Sequence, residues 1–181
     1  MKTLKSLTIA ALSALIIGCG DSGGGSDSPK KYVPPPDPSE AGKATLEGID
    51  SNNNGIRDDI EIAIYEYKPK PEQLKERQSL IQSAKAYQAA ILAGDSKDEA
   101  AITQASKATM RIISCKRETY IGDDRKDINK RLAMEEDSAF LQIAAFNTKE
   151  RKKAYWEYNQ ALSGRILSLY DGDNPCDYIG D

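Results

Sequence analysis

The chain contains no histidine, a single Trp, two Phe and three Cys in 181 residues. Without histidine there is no Ser-His-Asp triad, no Cys-His pair and no His-ligated zinc. Any catalysis would have to rest on carboxylates, Lys, Tyr or a bound metal. A long hydrophobic run is also missing. The longest apolar stretch, Leu7 to Ile17, is broken by Thr8 and Ser13 and is too short to span a bilayer. A basic excess is missing as well, since 25 Lys and Arg face 28 Asp and Glu for a net charge of −3. That balance argues against nucleic acid, which calls for a concentrated basic surface.

What is present begins at the N-terminus. Lys2 and Lys5 precede the apolar stretch, which ends in Ile16-Ile17-Gly18-Cys19. This order of basic, apolar and small residues before a Cys resembles the lipobox of bacterial lipoproteins. The resemblance implies cleavage after residue 18, a diacylglycerol on the Cys19 thiol, and anchoring to a lipid bilayer through acylated Cys19. The alternative is a plain secretory leader with an incidental Cys. Gly20 after the Cys, in place of Asp, implies the outer membrane, with the domain in the periplasm or at the cell surface. Losing Lys2 and Lys5 takes the basic side chains from 25 to 23 against 28 acids, and the net charge from −3 to −5. The anchor is then the lipid, each buried methylene contributing about 0.8 kcal/mol.

Three regions follow: the leader at 1–18, a lipidated tether at 19–44, and a domain at 45–181. The tether holds Gly23-Gly24-Gly25 and Pro34-Pro35-Pro36, a flexible part and a stiff one. Such a composition buries too little apolar area to offset ordering entropy, so the tether is expected to be disordered. Gly20-Asp21-Ser22-Gly23-Gly24 looks like a serine-protease nucleophile signature, but the chain has no histidine to serve as its base.

Asp50-Ser51-Asn52-Asn53-Asn54-Gly55-Ile56-Arg57-Asp58-Asp59-Ile60-Glu61 follows the pattern D-x-[DN]-x-[DN]-G-x5-E. A hard cation takes six to eight oxygens, so a short chain must coil around it. This segment resembles the EF-hand loop and, more closely, the extracellular calcium loops of dockerin and thrombospondin type 3 repeats. The resemblance implies calcium held by Asp50, Asn52, Asn54, the Ile56 carbonyl, Asp58 and Glu61, with the Ile56 side chain left free to pack. Arg57 stands where paired EF-hands carry an aliphatic residue, and Gly42 and Gly48 make the incoming segment a poor helix. With three charged ligands, the expected dissociation constant is about 10⁻⁴–10⁻³ M. The alternative is an Asn-rich turn in which Asp58 or Asp59 caps a helix.

The remainder has helical periodicity and no sustained alternation, which predicts an all-α fold: a bundle of four to five helices. Ile56, Ile60, Ile64 and Tyr67 mark the first inner face, ending at Pro69 and Pro71. Leu80, Ala84, Tyr87 and Ile91 mark the second, stopped by Gly94. Ser96 to Glu99 reads as a capping box opening the third, with Ile102, Ala105, Ile112 and Tyr120 inside. A fourth is expected from Asp123 or Asp124, with Ile128, Leu132, Ala139, Ile143 and Phe146 inside. Asn147 to Glu150 opens a fifth, running through Tyr155, Tyr158, Leu162, Ile166 and Leu169.

Export places Cys115 and Cys176 in an oxidising compartment, where they are expected to pair and staple the acidic tail to the bundle. Asp171, Asp173 and Asp177 in that tail are close in sequence, but they lack the register of a calcium loop. Glu135-Glu136-Asp137 could supply a carboxylate pair of the glycosidase kind, or be a solvated helix face. Trp156 has polar neighbours at helical spacing, Lys152, Lys153, Asn159 and Gln160. It is a candidate anchor for an envelope protein partner, or it packs in a groove. Two functional classes follow. One is a non-catalytic, lipid-anchored binding or structural module. The other is an envelope hydrolase acting on glycan or peptidoglycan through carboxylates.

Overall fold

The computed structural model describes residues 32–178. The leader and Cys19 lie outside the described residues. Within them the chain is all-α: α1 (Asp58–Tyr67), α2 (Leu74–Ser96), α3 (Glu99–Lys116), α4 (Ile128–Ala145) and α5 (Lys149–Ala161), with no strand among the described residues. None of these helices is long and apolar enough to cross a membrane.

The central element is α2, which packs against all four of the others. Its inner residues Leu80, Ala84, Tyr87 and Ile91 are buried, as their spacing predicts. So are Ile56, Ile60 and Ile64 at the entrance and Ile102, Ala105 and Ile112 on α3. Tyr87, Phe146 and Tyr155 close the middle of the core as a cluster of touching rings.

Several boundaries differ from the sequence expectation. Gly94 does not stop α2. The helix continues to Ser96 and ends on Lys97 in the left-handed region at φ 55°. Gly94 is instead the point where α5 crosses, since a Cβ there would run into the Ala154 carbonyl. The cap of α3 is Asp98, whose carboxylate accepts from the Ala101 amide at 2.7 Å, rather than Ser96. Asp127 caps α4, accepting from the amides of Asn129 and Lys130, so that helix starts at Ile128. Thr148 caps α5 as expected, accepting from Arg151. α5 ends at Ala161, with Gly164 beyond it at φ 78°. A glycine in that conformation turns the chain out of the helix. Ile166 and Leu169 are therefore in an extended tail, Ile166 98% exposed.

α4 is also rotated relative to the expected face. Asp137, Leu141 and Ala145 point inward, whereas Ile128, Leu132 and Ile143 are exposed. Both sets recur at helical spacing. The buried one contains a carboxylate, which makes it look like the wrong choice in the sequence.

The segment expected to be tether differs from Tyr32 onward. Tyr32 stacks parallel on Tyr65 of α1, Pro35 and Gly42 are buried, and Ser39–Lys43 forms a 3-10 turn. The reason is a polar anchor. Arg151, fully buried on α5, donates to the carbonyls of Gly42, Thr45 and Leu46 at 2.6, 2.8 and 3.3 Å. These bonds replace the apolar contacts that the segment's composition lacks.

Candidate functional site

The loop between residues 50 and 61 is folded by its own side chains. Asp50 accepts from the amides of Asn54 at 3.1 Å and Gly55 at 2.8 Å. Gly55 lies at φ 84° and turns the chain back, as position 6 of such a loop must. Asn54 Oδ1 accepts from the Ile56 amide at 2.9 Å. Asp58 accepts from the Ser51 amide at 3.1 and 3.2 Å, which closes the loop across its mouth. Glu61 Oε2 accepts from the side-chain amides of Asn52 at 3.1 Å and Asn54 at 2.6 Å.

Positions 3, 5 and 12 of the pattern thus converge, while positions 1 and 9 brace the backbone. The Ile56 side chain is in the core at 3% exposure, fixing the loop to the bundle. Neither Asp58 nor Asp59 caps the helix. The N-cap position is Arg57, and both acids lie in the first turn, where the helix dipole favours negative charge.

The donor set consists of oxygens alone, the chemistry that calcium prefers. Asp58 is 1% exposed and Glu61 5%. Among the described residues no Lys or Arg forms an ion pair with Asp50, Asp58 or Glu61. Buried carboxylates normally have such a partner or a metal. The three acids do not close on one point. Among the described residues no three His, Cys, Asp or Glu side chains gather tightly enough to hold a metal by themselves. The residues fit a calcium ion in donor type and register, and holding one would require the Asn carbonyls to turn inward. Tyr32 adds to the apolar cover: burial, then the nearby Glu61 charge, pushes its phenol pKa well up.

Arg57 has a role that the sequence does not announce. Its guanidinium is bidentate to Asp59 at 2.9 and 3.1 Å and reaches the carbonyls of Ala144 and Ala145 at the end of α4. Burial alone would raise the Asp59 pKa. The Arg57 bonds and charge outweigh it and hold the carboxyl below its ordinary value. Asp59 also accepts from Asn147, which in turn accepts from Arg151 at 2.6 Å. A continuous polar chain thus runs from the loop through the α4–α5 junction to the N-terminal segment.

The acidic run on α4 divides. Glu135 and Glu136 are exposed, and Asp137 is buried. Asp137 accepts from the hydroxyls of Tyr67 and Tyr120 and pairs with Lys68 at 2.8 Å. Burial and then the bond to Asp137 push Tyr67 up to about 12. Burial lowers Lys116, close by, to about 8, with Asp137 opposing the shift. Tyr120 belongs to a π-helical turn, Arg117–Ile121, that ends α3.

Cys115 and Cys176 form a disulfide. The tail beside it is clamped by Gln82, which donates to the Pro175 carbonyl and accepts from the Asp177 amide, each at 2.8 Å. Asp177 also pairs with Arg111 at 2.6 Å. Trp156 is 57% exposed, between exposed Lys152, Lys153 and Gln160, and is not packed in a groove. Compared with known proteins, the chain matches no family model, no curated protein and no solved structure.

Proposed function

We propose that this chain is a lipid-anchored envelope protein whose helical domain works by binding or scaffolding, and that residues 50–61 form a structural calcium loop at the anchor end of that domain. The anchor reading rests on the lipobox register at Cys19. The calcium reading rests on one observation above the others: Asp58 and Glu61 are buried in a calcium-loop pattern with no cationic side chain paired to them among the described residues.

Asp50, Asn52, Asn54, the Ile56 carbonyl, Asp58 and Glu61 would hold the ion. Calcium would supply positive charge to Asp50, Asp58 and Glu61, which have no ion-pair partner among the described residues. The chain's own residues then give the loop its use. Ile56 seats it in the core, Arg57 ties it to the end of α4, and Tyr32 packs the start of the domain against α1 beside Glu61. The envelope hydrolase reading has less support, because the acidic run that suggested it does not form an open pair. Asp137 is buried with three partners, facing away from the exposed Glu135 and Glu136.

The test uses the mature chain carrying Cys19→Ser. Calorimetric titration should show one calcium bound, and the melting temperature should rise with millimolar calcium. At about a hundred times the dissociation constant the gain is about 2.7 kcal/mol. Magnesium should do much less, since it keeps its waters and its octahedral geometry. Asp50→Ala or Glu61→Ala should remove most of the rise. No heat and no thermal shift at about 10 mM calcium would leave the segment an ordinary Asn-rich turn. For the anchor, the Cys19→Ser protein should leave the membrane fraction that holds the wild type. Retention of it there would sink the lipoprotein reading.

A further inference from the structure

Past α5 the chain runs straight from Arg165 to Asp171, between the turn at Gly164 and the bend at Gly172. The run Arg165-Ile166-Leu167-Ser168-Leu169-Tyr170-Asp171 carries Ile and Tyr, which favour strands, and holds no Pro and no Lys. Its ends are fixed. Arg165 is bidentate to Glu99 at 2.7 and 2.9 Å, and Cys176 beyond the bend is bonded to Cys115. Its middle is not packed down, because a hollow of about 590 Å³ lies between this tail and Ala86 of α2 and Ala108 of α3. Among the described residues, no amide or carbonyl of residues 166–171 makes a hydrogen bond. Ile166, Leu167 and Leu169 are exposed as well.

A straight segment with open main-chain groups is a template for another strand. The order of its side chains says which strand. Laid antiparallel on a copy of itself with Ser168 opposite Ser168, Leu167 faces Leu169, Ile166 faces Tyr170 and Arg165 faces Asp171, each twice by symmetry. An aliphatic–aromatic pair and an opposite-charge pair are both favourable across strands. Asp171 has no ion-pair partner of its own among the described residues. Glu99 engages two of the N–H groups of Arg165 and leaves the others free for a second carboxylate. Sliding the copy by two residues sets either Leu167 against Asp171 or Leu169 against Arg165, so the charges fix the register.

We infer that residues 165–171 dock on the same residues of a second copy of this chain, as a two-stranded antiparallel ribbon centred on Ser168. The Arg165 amide is already bonded to the Leu162 carbonyl, so the ladder uses the amides and carbonyls of Ile166, Ser168 and Tyr170. Alternate residues of an antiparallel ladder exchange both bonds, which gives about six across the two-fold axis. A two-stranded ribbon by itself is marginal, and here the disulfide and the Arg165–Glu99 pair hold each strand in place beforehand.

Sedimentation equilibrium of the mature Cys19→Ser chain tests this, since without acyl chains any association comes from the protein itself. The average mass should rise toward that of a dimer as concentration increases. Ser168→Pro removes the central donor on both copies and should lower the association constant about tenfold. Asp171→Arg sets like charges opposite each other at both ends and should also lower it about tenfold. Neither side chain has a hydrogen bond or ion pair among the described residues, so in dilute solution both variants should melt with the wild type. The register is read by mixing Leu167→Cys with Leu169→Cys chains. Opposed at a non-hydrogen-bonded pair, their Cα atoms come within disulfide reach, and oxidation should link the mixture far more than either variant alone. The inference is overturned if the chain stays monomeric up to about 1 mM. It is overturned equally if either Ser168→Pro or Asp171→Arg dimerises like the wild type, as pairing through the exposed Ile128, Leu132 and Ile143 of α4 would allow, or if either cysteine variant links to itself as readily as to the other.

Discussion

Arg57 and Arg151 are 2% and 0% exposed, and each spends its donors mainly on acceptors far away in sequence. Neither role is legible in the chain. An arginine after Ile56 and another in Lys-Glu-Arg-Lys-Lys look like solvated charges, and only the folded carbonyls of 42–46 and 144–145 explain them. Lys116 is the opposite case, a half-buried cation on an element whose inner face was legible. Burial lowers its pKa from 10.5 to about 8, with Asp137 opposing the shift. The folded state therefore holds fewer protons on this group than the unfolded chain between those two values. Stability must then rise with pH across that window, by at most about 1.4 kcal/mol per unit from this group. Lys116→Met keeps the stem without the charge. It should be more stable than wild type at pH 8, with the gap closing toward pH 10.5. Tyrosines away from Lys116 titrate in both proteins and cancel in the difference, whereas Tyr87, whose ring lies 5.6 Å from the ammonium, does not. Urea midpoints at the two pH values check this, and a pH-independent gap would contradict it.

At the scale of elements, existence was legible and phase was not. Four to five helices were expected and five are present among the described residues, because apolar spacing and cap residues such as Thr148 are local signals. The inner face of α4 was misjudged because Asp137 becomes a core residue only once Tyr67, Tyr120 and Lys68 surround it. The length of α5 was misjudged because Leu162, Ile166 and Leu169 continue the period, yet Gly164 releases the chain and no neighbouring helix covers Ile166. Gly94 reads as a stop but is a contact. Its lack of a side chain lets the α5 backbone rest on α2 at Ala154. Gly94→Ala therefore gains helix propensity of about 1 kcal/mol and loses to overpacking of about 1–3 kcal/mol. The variant should melt lower than wild type despite being a better helix former. A higher melting temperature, read by circular dichroism, would mean that the two helices separate at little cost.

For the whole molecule, the Cys115–Cys176 bridge spans 61 residues and fastens a tail that has no helix of its own. In the chain-entropy account, closing such a loop contributes about 4 kcal/mol by restricting the unfolded chain. Cys115→Ser/Cys176→Ser should lower the melting temperature and expose residues 162–178 to proteolysis while α1–α4 remain protected. A double variant as resistant as wild type would show that Gln82 and Arg111 hold the tail unaided. The sequence by itself determined the all-α class, the loop pattern from Asp50 to Glu61 and the two cysteines available for pairing. Each of these depends on spacing along the chain or on residue type, and needs no knowledge of distant neighbours. Only the tertiary structure decided that residues 32–44 lie on the bundle, that α4 turns Asp137 inward, that Arg57 joins the loop to α4, and that a hollow opens under the tail. Those outcomes depend on which carbonyls, rings and charges meet across dozens of residues. A buried polar group is stabilised only by the particular partners that the fold brings to it.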